Sequence, residues 1–315
     1  MAELTSSLGA GPATVAIDVG GTEIKGAIRD STGSVVSLRR WPTSREDGPT
    51  AVVDLVLRTL DELLRDAPAT EAVGLVVPGT VNEASGVAVY SENIEWRDVP
   101  FRRLAKDASG LPVGFGHDVR AGGLAERTLG ASRGSDDVLF MPIGTGISGA
   151  MTVAGRSIDN MLGGEIGHLD VGSGLQCVCG LTGCLETVAT GPSIARTYFE
   201  ATGAQVSGAK PVVERMQAGD PQAKVVWQGA VDSIATALAS YVSLLAPELV
   251  VIGGGLSGAG DLLLDPLRIA LRSRLVWQGE PRLAIAELGD LAGNVGAHLL
   301  AQRAVESAVN GRTAT

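Results

Sequence analysis

The stretch HLDVGSGLQCVCGLTGC, from His168 to Cys184, holds all three cysteines of the chain and one of its three histidines. Cys177 and Cys179 stand too close for an unstrained disulfide with each other, and the odd count leaves one thiol over. The opening residues, MAELTSSLGAGPATVAIDVGG, place an acid and no base before the first apolar run, unlike a secretory signal. A reducing compartment, the cytoplasm, is therefore expected, where clustered thiols stay unpaired. Cys-x-Cys-x4-Cys with a histidine nine residues upstream supplies three thiolates and one imidazole. That is the donor set of a closed, four-coordinate zinc site, so His168, Cys177, Cys179 and Cys184 are predicted to hold a structural Zn2+. The alternative is a group of small buried thiols beside a core histidine. Random placement rarely confines every cysteine to one loop.

A second chemistry lies in three glycine-rich turns, DVGGTEIK (18–25), PIGTGISG (142–149) and VIGGGLSG (251–258), each at the end of a run that reads as a strand. One such turn is ordinary. Three, two of them with Thr, suggest backbone N–H groups converging on a polyanion. None matches G-x-x-x-x-G-K-[ST] or G-x-G-x-x-G, so a different nucleotide fold is required.

The elements that must carry these turns follow from periodicity. TVAIDVGG, EIKGAIRD and VVSLRRW read as an initial antiparallel set of strands, after a tail at 1–12 expected to be disordered. PTAVVDLVLRTLDELLRDA has helical spacing with Pro49 in its first turn. AVGLVVPG is a buried strand, and LPVGFGHD is another that ends at His117 and Asp118 before a helix, VRAGGLAERTLGA. VLFMPIGTG and ISGAMTVAG form a hairpin, and a loop-rich segment with the cysteines follows. The second half reads as mostly helical, with one short strand, LVVIGGG, before a helix from about Ala259. This pattern predicts an α/β protein of two related lobes. No short-period repeat is present.

Composition sets the remaining bounds. The chain has 315 residues, 45% hydrophobic and only 3% aromatic, with a mean hydropathy of +0.23, so its core is built from Ala, Val, Leu and Ile. The formal net charge of −10 argues against nucleic acid or an anionic membrane as a partner. Residues 225–245, the most apolar long run, are interrupted by Gln228, Asp232 and Ser233 and fit a buried helix, not a membrane span.

AIDVGGTEIKGAI resembles the first phosphate loop of the ROK sugar kinases, a family of the actin-like ATPase superfamily. PIGTGISGAM is similar to their second phosphate loop, VIGGGLS to their adenosine loop, and GGEIGHLDV…CVCGLTGCLE to the family hallmark across Gly163–Glu186. The likeness runs from about Thr14 to Val305. It implies a two-lobed, ribonuclease H-like α/β fold with a zinc-stabilised loop in the larger lobe. The small lobe would be residues 1–118 plus a C-terminal helix at about 293–315, and the larger lobe 119–292. The family also contains repressors with an N-terminal helix-turn-helix domain. With about 13 residues before the first strand, the sequence is read as lying outside that branch.

The resemblance implies an ATP- and Mg2+-dependent kinase that makes a hexose 6-phosphate, of the glucokinase type, and by family habit a homodimer. Asp118 aligns with the family's catalytic base; taken generically it reads as a helix N-cap. Asp18 would hold Mg2+, while Gly20, Gly21, Thr22 and Lys25 would contact phosphates and Gly144, Thr145 and Gly146 would face them. Gly253, Gly254 and Gly255 would let the backbone pass close to adenosine. Asn93, Glu165, His168 and Glu186 would hydrogen-bond the sugar, with Glu165 and Glu186 flanking the zinc loop. One departure stands out: HDVR (117–120) replaces the family's NDAN. His117, where the family directs an Asn at the sugar, leaves the sugar open. Alternatives are a kinase of N-acetylglucosamine, N-acetylmannosamine or a 3-amino sugar such as kanosamine, with neutral His117 as acceptor, or a non-catalytic sugar-sensing regulator.

Overall fold

The computed structural model describes residues 8–313, of 311–313 the backbone alone. The chain divides into two compact units: residues 1–129, 159–161 and 291–315, and residues 130–158 and 162–290. The expected division after Asp118 falls instead after Leu129, and the two units are of nearly equal length. The tail reading at 1–12 lies outside the described residues for 1–7. Residues 8–12 have no regular structure, yet they are held, with Gly11 N–H donating to Ser31 O at 3.0 Å.

In the first unit, β1 (Thr14–Val19), β2 (Glu23–Arg29) and β3 (Val35–Pro42) form antiparallel pairs. Helix α1 (Pro49–Asp66) begins on its proline, as the sequence suggests, and leads to β4 (Ala72–Val77), buried along its whole length. Strands β5 (Thr80–Asn82), β6 (Val87–Tyr90) and β7 (Arg97–Val99) make a separate small sheet. Helix α2 (Phe101–Ser109), β8 (Val113–His117) and α3 (Asp118–Leu129) follow. The main sheet has the order β3-β2-β1-β4-β8, with β1, β4 and β8 parallel. Its core gathers Val15, Ile17, Leu60, Leu75 and Phe115 around Trp96 and Phe101, whose rings meet edge-on at 5.1 Å. Burying each such side chain contributes about 1.5–3 kcal/mol.

The second unit repeats the plan. Strands β9 (Val138–Pro142), β10 (Ala150–Val153) and β11 (Arg156–Ser157) are antiparallel neighbours, as the predicted hairpin requires. Helices α4 (Glu186–Ala189), α5 (Gly191–Thr202), α6 (Ala209–Gln217) and α7 (Pro221–Leu245) come next. Then come β12 (Leu249–Gly253), α8 (Asp261–Arg272) and β13 (Arg282–Ile285). The sheet order β11-β10-β9-β12-β13 reproduces that of the first unit, with β9, β12 and β13 parallel. Helix α7 is the apolar run 225–245 extended backwards to Pro221. Asp220 caps it, its carboxylate accepting from Gln222 N and Ala223 N. One side of α7 is buried through Val226, Trp227, Ile234 and Leu238, and no helix among the described residues is long and apolar enough to cross a membrane.

The last helix, α9 (Ala292–Thr313), returns the chain to the first unit, where it packs on β1, β4, β8 and α3. That packing keeps α3 with the first unit.

Candidate active site and metal centre

The first unit gathers its candidate residues at the carboxyl ends of β1, β4 and β8, the side where open α/β sheets bind ligands. Asp18 is buried near the end of β1 and pairs across the ladder with Lys25, Nζ to Oδ2 3.9 Å. The first turn of α9 sits against this carboxylate: a Cβ on Gly293 would lie 2.8 Å from Asp18 Oδ2, so only glycine allows the approach. A helix N-terminus favours negative charge at that point. A single carboxylate completed by phosphate oxygens and water is a usual Mg2+ donor set, and Asp18 fits it.

The turn Gly20–Thr22 closes with Gly20 N donating to Glu23 O at 2.9 Å. Thr43, fully buried at the end of β3, pins it from outside: Thr43 N donates to Thr22 O (3.0 Å) and Thr43 Oγ1 to Gly20 O (2.7 Å). Asn93 is exposed on the β6–β7 connection, between the buried Ser91 and Ile94, and its Cβ lies 3.8 Å from a Cβ position on Gly21. The Asn expected on the sugar and the turn expected on the phosphates are therefore neighbours. Arg45 Nη1 donates to Asn93 O at 3.4 Å, and Arg97 covers the Tyr90 ring at 4.5 Å at the base of the same hairpin.

At the end of β8, the N-cap expectation for Asp118 is corrected. His117 Nδ1 accepts from Val119 N (3.2 Å) and Arg120 N (3.4 Å), the two backbone donors an N-cap side chain serves. Asp118 is the first residue of α3, and its Oδ1 takes Val119 N at 2.8 Å. The strand register decides this: β8 pairs with β4 as far as Val77–His117, so the last strand residue becomes the cap. With Nδ1 accepting, a neutral ring carries its proton on Nε2. The nitrogen that would accept from a 3-ammonium sugar is thus already turned to the helix.

Sequence reasoning missed the clamp behind this strand end. Glu83 Oε1 accepts from His117 N (3.2 Å) and from Arg120 Nε (2.7 Å), and Arg120 Nη2 donates to Val81 O (3.2 Å). Nearby, burial first and Glu83 second hold the Asp159 carboxyl above the usual range, while Arg120 and Arg303 act in the opposite sense. The only sequence signal was Arg120 itself, in place of the family's second Asn.

The second unit gathers the rest. The turn 144–146 and the turn after β12 adjoin, because β9 and β12 are parallel as far as Pro142–Gly253. Ile143 N donates to Gly253 O, and Leu256 N to Ile143 O, both at 3.0 Å. Glu186 lies against the same place: its Oε1 accepts from Ile147 N at 2.5 Å and is 2.9 Å from a Cβ position on Gly146. The acid expected on the sugar is therefore also bonded to the end of the 142–149 turn, the second turn expected on the phosphates. Glu165 is exposed, just before the short turn Ile166–His168, and Gly149 N donating to Gly164 O at 2.7 Å ties that turn to the hairpin.

The predicted metal ligands do converge. One donor atom from each of His168, Cys177, Cys179 and Cys184 lies within 4.8 Å of the others. Cys177 Sγ is 3.8 Å from His168 Nδ1, and Cys179 Sγ is 3.7 Å from Cys184 Sγ. A zinc tetrahedron with bonds of ~2.0–2.3 Å has edges of about 3.3–3.8 Å, so the donor set fits the ion. All three thiols are free of disulfides. Burial pushes the Cys184 thiol up to about 12, whereas backbone N–H donation from Leu181 holds the exposed Cys179 below its ordinary value. Gly183 makes the loop possible: its φ is +93°, and a Cβ there would lie 2.0 Å from Asp170 Oδ1. His168 turns Nδ1 to the sulfurs, so Nε2 points elsewhere.

A model of the ROK family matches residues 14–304. The chain belongs to the ROK family. Its repeated sheet order, with helices between parallel strands, is the actin-like α/β fold of that family. A glucokinase of Halalkalibacterium halodurans is 32% identical, with 94% of this chain and 97% of that protein aligned. A kanosamine kinase of Amycolatopsis mediterranei is also 32% identical, over 92% of this chain and 96% of its own length. Among solved structures, a ROK family glucokinase from Streptomyces griseus in complex with glucose and AMPPNP is 30% identical. It superposes with a TM-score of 0.81, covering 92% of this chain and 99% of that one.

Proposed function

We propose that this ROK protein is an ATP- and Mg2+-dependent hexokinase of the glucokinase type. It would transfer the γ-phosphoryl group to the 6-hydroxyl of a hexose. One observation carries the reading: Asp118 stands at the carboxyl end of β8, on the same sheet edge as Asp18 and the Gly20–Thr22 turn. A sensor that only binds sugar has no use for such a carboxylate.

The chemistry divides among the residues as follows. Asp118 accepts the proton of the 6-hydroxyl as O6 bonds to the γ-phosphorus and the bond to the β-phosphate bridging oxygen breaks, leaving ADP. Asp118 takes up the proton while Val119 N supports its Oδ1. Gly20, Gly21 and Thr22 offer backbone N–H groups to the phosphates, and Lys25 a positive charge. Gly144, Thr145 and Gly146 would contact phosphates in the same way, and Gly253–Gly255 would lie along the adenosine. Asp18 would hold Mg2+, which would supply positive charge to offset that of the phosphates. Asn93, Glu165, His168 and Glu186 bond the sugar hydroxyls, since a buried hydroxyl left unpaired costs about 1–3 kcal/mol. Zinc would tie His168 to the three cysteines and so hold Glu165 and Glu186 at the two ends of one loop.

The similarity to a kanosamine kinase supports a second reading, an amino-sugar kinase. His117 speaks against the 3-ammonium form, because Nδ1 is engaged with α3 and Nε2 is left as a donor. The test mixes zinc-loaded protein, ATP and Mg2+ with glucose, mannose, N-acetylglucosamine, N-acetylmannosamine and 3-amino-3-deoxyglucose, and follows ADP and the 6-phosphate. Glucose should have the highest kcat/KM. Turnover of none of the five would leave the regulator reading standing.

A further inference from the structure

We propose that His117 is a positioning residue for Asp118: its neutral ring caps α3 and leaves the carboxylate able to take a proton, and a protonated ring disables the base. The inference rests on Asp118 as the base and deepens that reading.

The argument is the competition for one nitrogen. His117 Nδ1 lies 3.2 Å from Val119 N, 3.4 Å from Arg120 N and 3.4 Å from Asp118 Oδ1. As an acceptor, Nδ1 serves the two N–H groups and repels the carboxylate oxygen. Val119 N donates to that oxygen at 2.8 Å, which sets its orientation from the helix backbone. As a donor, in the imidazolium, Nδ1–H faces two N–H groups it can no longer serve and one carboxylate oxygen it can bond. Protonation therefore removes the cap from α3 and places a cation against the base. Both changes lower the capacity of Asp118 to accept a proton.

The surrounding charges are few and mixed. From α3 come Asp118 and Arg120. From the segment after β5 comes Glu83, which accepts from His117 N and from Arg120 Nε. Asp159 feels that same pair and also Arg303. A free imidazole protonates near pH ~6.5. The sign follows from the geometry: the device is enabled while the His117 ring is neutral and is lost as falling pH protonates it. An Asn at 117 could offer its amide oxygen to the same two N–H groups and cannot titrate, so the feature belongs to this chain's departure from NDAN.

Two measurements test it. The first is ring 15N NMR of the whole protein; with three histidines in the chain, the His117 signal is the one lost in His117→Asn. At pH 8 Nδ1 should be unprotonated and Nε2 protonated. A proton on Nδ1 at pH 8 overturns the proposal without any assay of turnover. The second is kcat against pH for wild type and His117→Asn, each scaled to its own alkaline plateau. The acid limb of His117→Asn should lie at least about tenfold lower in proton sensitivity, one pH unit or more below wild type. Superimposable limbs overturn the proposal. If Asp118→Asn turned over like wild type, the base assignment would fall while the NMR tautomer stood, which separates the two failures.

Discussion

Replacing Gly183 by alanine puts the zinc loop under a load that can be worked out from its geometry. Gly183 has φ +93°, and the new Cβ would sit 2.0 Å from Oδ1 and 2.7 Å from Cγ of Asp170. A left-handed backbone costs a residue with a Cβ about 1–2 kcal/mol. Asp170 must also swing away, which breaks its bond from Gly172 N at 2.8 Å. Losing that bond costs a further ~1 kcal/mol. The total is about 2–3 kcal/mol, or roughly 4–12 °C in Tm for a unit of this size. Gly180 is the control, for its φ is +91° and a Cβ there meets nothing within 4 Å, so Gly180→Ala carries the backbone term alone. The assay is thermal unfolding of zinc-loaded protein, with metal content measured alongside. Gly183→Ala should be destabilised more than Gly180→Ala and should lose zinc more readily to a chelator. Asp170→Ala loses the same bond from Gly172 N, so once Gly183 is alanine it should add little further cost, and the two substitutions should be less than additive. Equal effects of the two glycine substitutions, or full additivity of Gly183→Ala with Asp170→Ala, would refute the reasoning.

Other outcomes follow from the same geometry. Cys179→Ser should reduce zinc from about one per chain to near none and weaken sugar binding, read by metal analysis and titration with glucose; zinc-free protein with unchanged affinity would uncouple the loop from the sugar. Thr43→Val should loosen the Gly20–Thr22 turn by removing one hydrogen bond of ~1 kcal/mol, raising KM for ATP about fivefold with KM for sugar little changed. His298 is fully buried in α9, with Thr14 Oγ1 2.8 Å from its Nδ1, and desolvation first and Arg29 second hold its pKa well below the ordinary value. Below pH ~6.5 the unfolded chain binds a proton that the folded chain refuses, so stability should decline as pH falls from there toward the folded pKa. Denaturant titrations of wild type and His298→Gln should diverge in slope across that window.

What the sequence revealed was what lies close together in it. The metal ligands span 17 residues, and the three phosphate and adenosine turns each follow a strand whose mostly apolar run is readable, TVAIDV, VLFMP and LVVIG. Strands β5, β6, β7 and β13 are three or four residues long, too short for an alternation to register. The repeat of one sheet plan in both units was expected only as related lobes, because it survives as topology and not as a run of similar residues. The clamp at the end of β8 joins Glu83 to Arg120, 37 positions apart, and Thr43 reaches Gly20 across 23. Neither pair has a local signature. The cap of α3 was assigned to Asp118 from residue preference, whereas the sheet register gives it to His117. The unit boundary was misplaced for a similar reason: α3 is held by α9, which lies some 170 residues later.

The central claim is that Asp118 takes the proton from a hexose hydroxyl, and Asp118→Asn tests it most directly. The amide keeps the shape and can still accept from Val119 N through its oxygen, so glucose binding by calorimetry should stay within a few-fold of wild type. With the base gone, kcat for glucose phosphorylation by ATP should fall by about 10²–10⁴, that is about 2.7–5.4 kcal/mol in the barrier. A variant that binds glucose normally and turns over within a few-fold of wild type would contradict the account.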